Sequence, residues 1–201
     1  MSDFVKQYLE ETNQILFRLT NNSDDIENVA LALSKIKHRE GRLFILGIGG
    51  SAGHASHAVN DFRKICKIES YTPTDNISEL TARVNDEGFD TCFSAWLEGC
   101  NLNAYDGILI LSVGGGNVEK NISMPIVNAI KYAQSIKATI LGIVGKDGGA
   151  TKQMANACVV IPPLFEDKIT PHTEGLCSVI LHCLASHPLI KENITKWESV
   201  K

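Results

Sequence analysis

The sequence predicts an α/β fold, a three-layer α/β/α sandwich with a central parallel sheet preceded by an N-terminal helical pair. Four short runs, Arg42–Leu46, Gly107–Leu111, Ala138–Val144 and Cys158–Ile161, are almost continuously apolar, the pattern of parallel strands buried on both faces. Longer segments of helical period alternate with them, which calls for right-handed crossovers that lay helices on both sides of the sheet. Glycine-rich turns follow three of the runs, at the carboxyl ends of strands where an open parallel sheet binds its ligands.

The N-terminal pair comes first. Between Asp3 and Asn21, Phe4, Tyr8, Ile15 and Leu19 recur at spacings of four and seven, one stripe of an amphipathic helix. Ser23-Asp24-Asp25 offers an N-cap, and Ile26, Val29, Ala30, Leu33 and Ile36 continue a second helix before Gly41. A long apolar stripe ahead of the sheet needs a partner, so the pair is expected to pack across the domain or against another subunit. Residues 41–201 then form the α/β core. With no internal repeat, low-complexity tract or Pro/Gly/Ser linker, residues 1–201 read as a single domain.

Composition narrows the function. Hydrophobic residues make up 44% and charged residues 21% of the 201, a globular mix rather than a disordered one. A net charge of −4 gives no electrostatic footprint for nucleic acid or an anionic membrane, so an anion must be held locally. The charged, amphipathic N-terminus lacks a signal-peptide pattern and no run reaches the roughly 18 apolar residues of a membrane span, which points to the cytoplasm. Cys66, Cys92, Cys100, Cys158, Cys177 and Cys183 are scattered without a CxxC pair and are expected to be reduced core residues. Trp96 and Trp197 are expected to cover apolar surface, and His38 to be a solvated surface residue.

The turns carry the first chemical signal. Gly47-Ile48-Gly49-Gly50-Ser51-Ala52-Gly53-His54 would aim backbone N–H groups at an anion near a helix N-terminus. It lacks the GK[ST] of a Walker loop, and Ala52 stands where a dinucleotide motif needs its third glycine. Ser112-Val113-Gly114-Gly115-Gly116-Asn117, expected to open a helix, and Gly145-Lys146-Asp147-Gly148-Gly149 are the other two. Asn85-Asp86-Glu87-Gly88 reads as a helix end and turn.

Histidines and carboxylates carry the second. His54, His57 and Asp61 are spaced by three and four, so they fall along one helix face, where such groups share a metal or pass a proton. Thr170-Pro171-His172-Thr173-Glu174 is expected to start a helix carrying His182 and His187. Glu174 and His182 would then lie about 12 Å apart along its axis, too far for one ion to bind both from one chain. Either that helix begins later or the site is shared between subunits.

Taken together, these motifs resemble the SIS (sugar isomerase) family, and within it the phosphoheptose isomerases, over nearly the whole chain. The resemblance implies the SIS fold and the interconversion of sedoheptulose 7-phosphate and D-glycero-D-manno-heptose 7-phosphate by enediol acid/base chemistry. It implies a homotetramer with active sites at subunit interfaces. Position by position it makes Gly49, Gly50 and Ser51 a substrate loop, Asn85 and Asp86 a substrate-contacting pair, and Ser112 the start of a phosphate loop that continues through Val113, Gly114 and Asn117. His57, Asp61, Glu174 and His182 become zinc ligands, with Asp61, Glu174 and His182 catalytic and Asp61 and Glu174 also touching substrate.

Departures from the family pattern are visible. Ile48 replaces an asparagine, and Val113, Gly114 and Asn117 replace hydroxyl-bearing residues of a loop that usually reads STSGNS. Phosphate would then lean on Ser112, Ser51 and backbone N–H groups. Asp61 stands for a glutamate and Glu174 for a glutamine, making a two-His, two-carboxylate set. Two other readings stay open at this point: a non-catalytic SIS module that binds a phosphosugar or a protein partner, and a SIS isomerase for another phosphosugar.

Overall fold

The computed structural model describes residues 3–200. Helix α1 (Phe4–Asn21) and helix α2 (Ser23–His38) lead into strand β1 (Leu43–Gly47), helix α3 (Gly50–Lys64) and a two-residue strand β2 (Ser70–Tyr71). Helices α4 (Ile77–Glu87) and α5 (Cys92–Gly99) precede β3 (Gly107–Ser112), α6 (Met124–Ser135) and β4 (Thr139–Val144). The short α7 (Gly149–Met154), β5 (Ala157–Val160), α8 (Ile169–Ala185) and the single turn α9 (Lys196–Ser199) complete the chain.

All pairings in the sheet are parallel, in the order β2-β1-β3-β4-β5. The chain leaves β1 in one direction to reach β2 and then crosses back to β3. This reversal places the topological switch point between β1 and β3, where a crevice opens at the strand ends. Gly47 pairs with Leu111, so the turns after β1 and β3 leave the sheet side by side.

Strand residues alternate between two apolar layers, as a period of two requires. Leu43, Ile45, Leu109, Leu111, Leu141 and Ile143 face α2, α3 and α8, whereas Phe44, Leu46, Ile108, Ile110 and Ile140 face α5 and α6. Fully burying one such side chain stabilises by about 1.5–3 kcal/mol, which holds the three layers together. Ile15 and Leu19 of α1 join the first layer, while Phe4, Val5, Leu9 and Phe17 stay exposed. Only the C-terminal half of the expected stripe is therefore buried within this chain.

Some expectations are corrected. The edge strand β2 was not among the four predicted runs, because two residues carry no periodic signal. The turn after β3 does not open a helix. Asn117 and Ile122 form an antiparallel bridge, Asn117 Oδ1 accepts from the Lys120 N–H at 2.8 Å, and α6 starts only at Met124. His187 lies beyond α8, its Nε2 3.1 Å from Glu27 Oε2. All six cysteines are free, but Cys183 is exposed rather than in the core. Trp96 is buried edge-on to Phe44, whereas Trp197 is 82% exposed. His38 is exposed, as expected. No helix among the described residues is long and apolar enough to cross a membrane.

Candidate active site at the α3–α8 seam

Helix α3 descends from the switch point, and α8 runs beside it in the same direction. Three contacts fix their register: Glu174 lies against Gly50, His54 Nδ1 is 2.9 Å from Ser178 Oγ, and Asp61 Oδ2 is 3.2 Å from His182 Nδ1. Residues four apart stack along one helix face, so positions 50, 54, 57 and 61 of α3 meet 174, 178 and 182 of α8. The polar seam rests on an apolar floor of Ala55, Ala58, Phe62, Leu176, Ile180 and Leu184.

At its lower end the seam gathers three side chains of metal-ligating type. Donor atoms of His57, Asp61 and His182 all lie within 4.8 Å of one another. Asp61 is buried, and its Oδ2 faces both His57 Nε2, at 3.4 Å, and His182 Nδ1. Its other oxygen, Oδ1, accepts from Asn60 Nδ2 at 3.0 Å. Asn60 therefore sets the rotation of the carboxylate. The two imidazoles meet edge-on with centroids 5.1 Å apart and remain open to solvent. Two imidazoles and a carboxylate are a donor set suited to zinc, and the exposed side leaves room for a further ligand. The same trio, without an ion, can hold and move a proton.

Glu174 stands apart from this trio. It lies eight residues before His182 in α8, about 12 Å up the axis, with the His54–Ser178 contact between them. Its carboxylate occupies the place of a side chain on Gly50: a Cβ there would come within 2.5 Å of Oε1 and 2.8 Å of Oε2. The negative group thus faces the first turn of α3, where the helix dipole favours it. Its neighbour Thr173 packs in the same way on Gly145. The first turns of α8 are consequently seated on the strand-end turns after β1 and β4.

Of the turn residues, Gly49 has φ 65° and ψ −128°, a conformation open to glycine alone. Ser51 is buried in the first turn of α3. Ile48, half-buried, packs on the α5–α6 layer and presents no polar group to the turn. Ser112 is buried and its Oγ accepts from the Gly115 N–H at 3.0 Å, which leaves its own hydrogen to donate. Val113 and Gly114 are half-buried. Asn117 directs its amide oxygen into its own turn. Asn85 and Asp86 are exposed at the end of α4, where Asn85 Nδ2 donates to Asp86 Oδ1 at 2.7 Å.

The third turn is not a free anion cradle. The N–H groups of Ala150 and Thr151, at the start of α7, donate to the carbonyls of Gly116 and Gly115 at 2.8 and 2.9 Å, and Thr151 Oγ1 donates to Gly115 O at 2.7 Å. The turn after β4 clamps the turn after β3. This leaves the turns after β1 and β3 as the pair that faces the crevice.

Asn60, Ser178 and Thr151 were not singled out by the sequence reading. Ser178 had a signal, since it lies four residues from both Glu174 and His182. His172 is buried away from the seam. Its ring stacks on Tyr8 with centroids 4.5 Å apart, and its Nε2 is 3.4 Å from Glu11 Oε2.

No family model matches the chain. A phosphoheptose isomerase from Sulfurimonas denitrificans is 30% identical over 171 residues, covering 81% of this chain and 84% of that protein. Another from Chlorobium phaeobacteroides is 32% identical over 148 residues, covering 70% and 62%. The lincomycin biosynthesis protein LmbN of Streptomyces lincolnensis is 29% identical over 163 residues, covering 75% and 58%. The chain thus spans about three fifths of these last two relatives and most of the first. Among solved structures, the phosphoheptose isomerase GmhA of Neisseria gonorrhoeae superposes with a TM-score of 0.79 over 91% of this chain and 95% of that one, at 21% identity. That likeness gives the SIS-type sugar isomerase fold, and with the 30% identity across most of both chains, the chain belongs to the phosphoheptose isomerase family.

Proposed function

We propose that the chain is a cytoplasmic isomerase that converts sedoheptulose 7-phosphate to D-glycero-D-manno-heptose 7-phosphate. The observation that carries the reading is the meeting of His57, Asp61 and His182 at the α3–α8 seam, below two glycine-rich turns at the switch point. A buried carboxylate in contact with an imidazole is the acid/base pair that an aldose–ketose isomerisation requires.

In this reading Asp61 takes the C1 proton of the ketose while His182 gives a proton to the C2 carbonyl oxygen, forming a cis-enediol. Asp61 then returns its proton to C2 while His182, having given one up, takes the O1 hydrogen, which completes the aldehyde and restores both groups. Asn60 keeps Asp61 Oδ2 turned toward the imidazoles. Ser51, Ser112 and the N–H groups of Val113 and Gly114 hold the phosphate at the crevice, with Gly49 allowing close approach, while the open side of Gly50 is taken by Glu174. Asn85 and Asp86, at the exposed end of α4, and Asn117, whose amide oxygen is held in its own turn, are further substrate contacts in this reading.

Zinc is the cofactor we assign to His57, Asp61 and His182; when bound it would polarise the carbonyl or order the site. Glu174 stands about two turns up α8 from these ligands, so its part in zinc binding or proton transfer calls for a second copy of the chain. A homotetramer with its sites at subunit contacts meets that need. The exposed Phe4, Val5, Leu9 and Phe17 of α1 offer apolar surface for the assembly.

Turnover of sedoheptulose 7-phosphate, followed by NMR with zinc, after chelation and after zinc is restored, tests the proposal. Aldoheptose phosphate formed, lost and regained in that order supports both activity and cofactor; full turnover by His182→Ala overturns the assignment of His182. A second reading, a phosphosugar-binding module without catalysis, is favoured by Asn117, whose side chain is engaged within its own turn. Tight phosphosugar binding with no turnover of any heptose or hexose phosphate would establish it.

A further inference from the structure

Between the crevice and the His57–Asp61–His182 trio the seam carries one more chemically capable group, His54. It lies about 6 Å along α3 from Gly50 and about 4.5 Å from His57. Its Nδ1 is engaged by Ser178 Oγ at 2.9 Å, and no other hydrogen bond to the ring occurs among the described residues. A neutral imidazole offers one donor and one acceptor. With Nδ1 matched to a hydroxyl that can play either part, Nε2 is left to serve a ligand.

Access to that nitrogen is built into both helices. Gly53 on α3 and Gly175 on α8 fall on the faces that border the seam, spaced three or four residues from Gly50, His57 and Ser178. Both are exposed, and a Cβ on either would meet nothing within 4 Å. Glycine within a helix costs about 0.5–1 kcal/mol relative to alanine, and among the described residues no contact beyond the helix's own turns requires it at either place. Neither position therefore places a side chain beside the seam at His54.

We infer that His54, oriented by Ser178, is a substrate-binding residue whose Nε2 bonds a hydroxyl in the middle of the sugar chain. The inference rests on the proposed phosphosugar substrate, with its phosphate at the crevice and its carbonyl at the trio. A polyol chain joining those two ends passes His54. A site that hydrogen-bonds a particular hydroxyl discriminates against ligands lacking it, so His54 would favour long sugar phosphates over short ones.

The test compares two ligands by calorimetry or ligand-observed NMR on the zinc-loaded protein: sedoheptulose 7-phosphate, which spans the seam, and glycerol 3-phosphate, which reaches only the crevice. His54→Ala should weaken the first by about fivefold to tenfold, the equivalent of one lost hydrogen bond, and the second by less than about twofold. Ser178→Ala should shift the first ligand in the same direction by less, and His54→Gln should recover part of the loss. Equal weakening of both ligands would mark His54 as merely structural and overturn the inference. So would unchanged binding of sedoheptulose 7-phosphate. If the wild-type chain binds that sugar without turning it over, the isomerase proposal fails while the inference stands or falls on the variants. If the wild type binds neither ligand, both fall.

Discussion

Glu174 fills the space on Gly50 that a side chain would otherwise take, with a Cβ there only 2.5 Å from its Oε1. The obstacle is the far end of a flexible side chain, so Gly50→Ala should swing the Glu174 carboxylate off the first turn of α3 instead of unfolding the protein. The loss should vanish in a Glu174→Ala background, where alanine at position 50 gains helix propensity. A double-mutant cycle by chemical denaturation should give a coupling of about 1 kcal/mol. Additive single effects would mean the two residues do not compete for that space.

The metal prediction turns on Asn60. By fixing Asp61 it acts one step behind the His57–Asp61–His182 trio, and removing such a support costs about 10–100-fold in metal affinity. Asn60→Ala should weaken zinc within that range, while Asp61→Asn and His182→Ala should weaken it more. Glu174→Gln is the informative contrast. In a dissociated, monomeric preparation it should leave zinc affinity within about twofold, because Glu174 is two helical turns away. Competition with a chromogenic chelator reads all four.

Acid stability should depend on Glu11. Burial pushes its carboxyl up, but hydrogen bonds from Gln7, Lys168 and His172 outweigh that and hold it below the ordinary value of 4.5. A carboxyl with a depressed folded-state pKa contributes stability above its unfolded value and loses it as pH falls through the folded one. The wild type should therefore lose stability below about pH 4.5, and Glu11→Gln should show a shallower loss there. Urea midpoints at pH 7, 4.5 and 3.5 check this. Equal slopes for both proteins would show that the contact between α1 and the start of α8 does not hold the charge.

Much of this was legible in the sequence because the core strands are apolar on both faces and the helices are periodic. Ile45 and Leu46 point to opposite layers, and that alternation within a continuous run is what marks a parallel strand. The His57–Asp61 pair follows from helical spacing alone. His182 needed the register of α8 on α3, which packing of Leu176, Ile180 and Leu184 decides and no local pattern encodes. The turn after β4 misled for a different reason: glycines signal a turn, but whether the N–H groups it aims are free for a ligand depends on what they pack against. Here those of Ala150 and Thr151 are spent on the carbonyls of the turn after β3.

Thr151 gives the last prediction. It is fully buried, and both its N–H and its hydroxyl donate to the Gly115 carbonyl. Thr151→Val keeps the N–H bond and the shape but removes the hydroxyl, which should cost about 1 kcal/mol. The cost should fall on the turn after β3 more than on the core, because Gly115 also donates to Ser112 Oγ, the group placed on the phosphate. The variant should therefore show a raised KM for the phosphosugar with a smaller change in kcat, and faster amide exchange at Gly114–Gly116 than in the strands. Uniformly faster exchange throughout the sheet would instead mean that Thr151 supports the core, and the clamp between the two turns would have no separate role in binding.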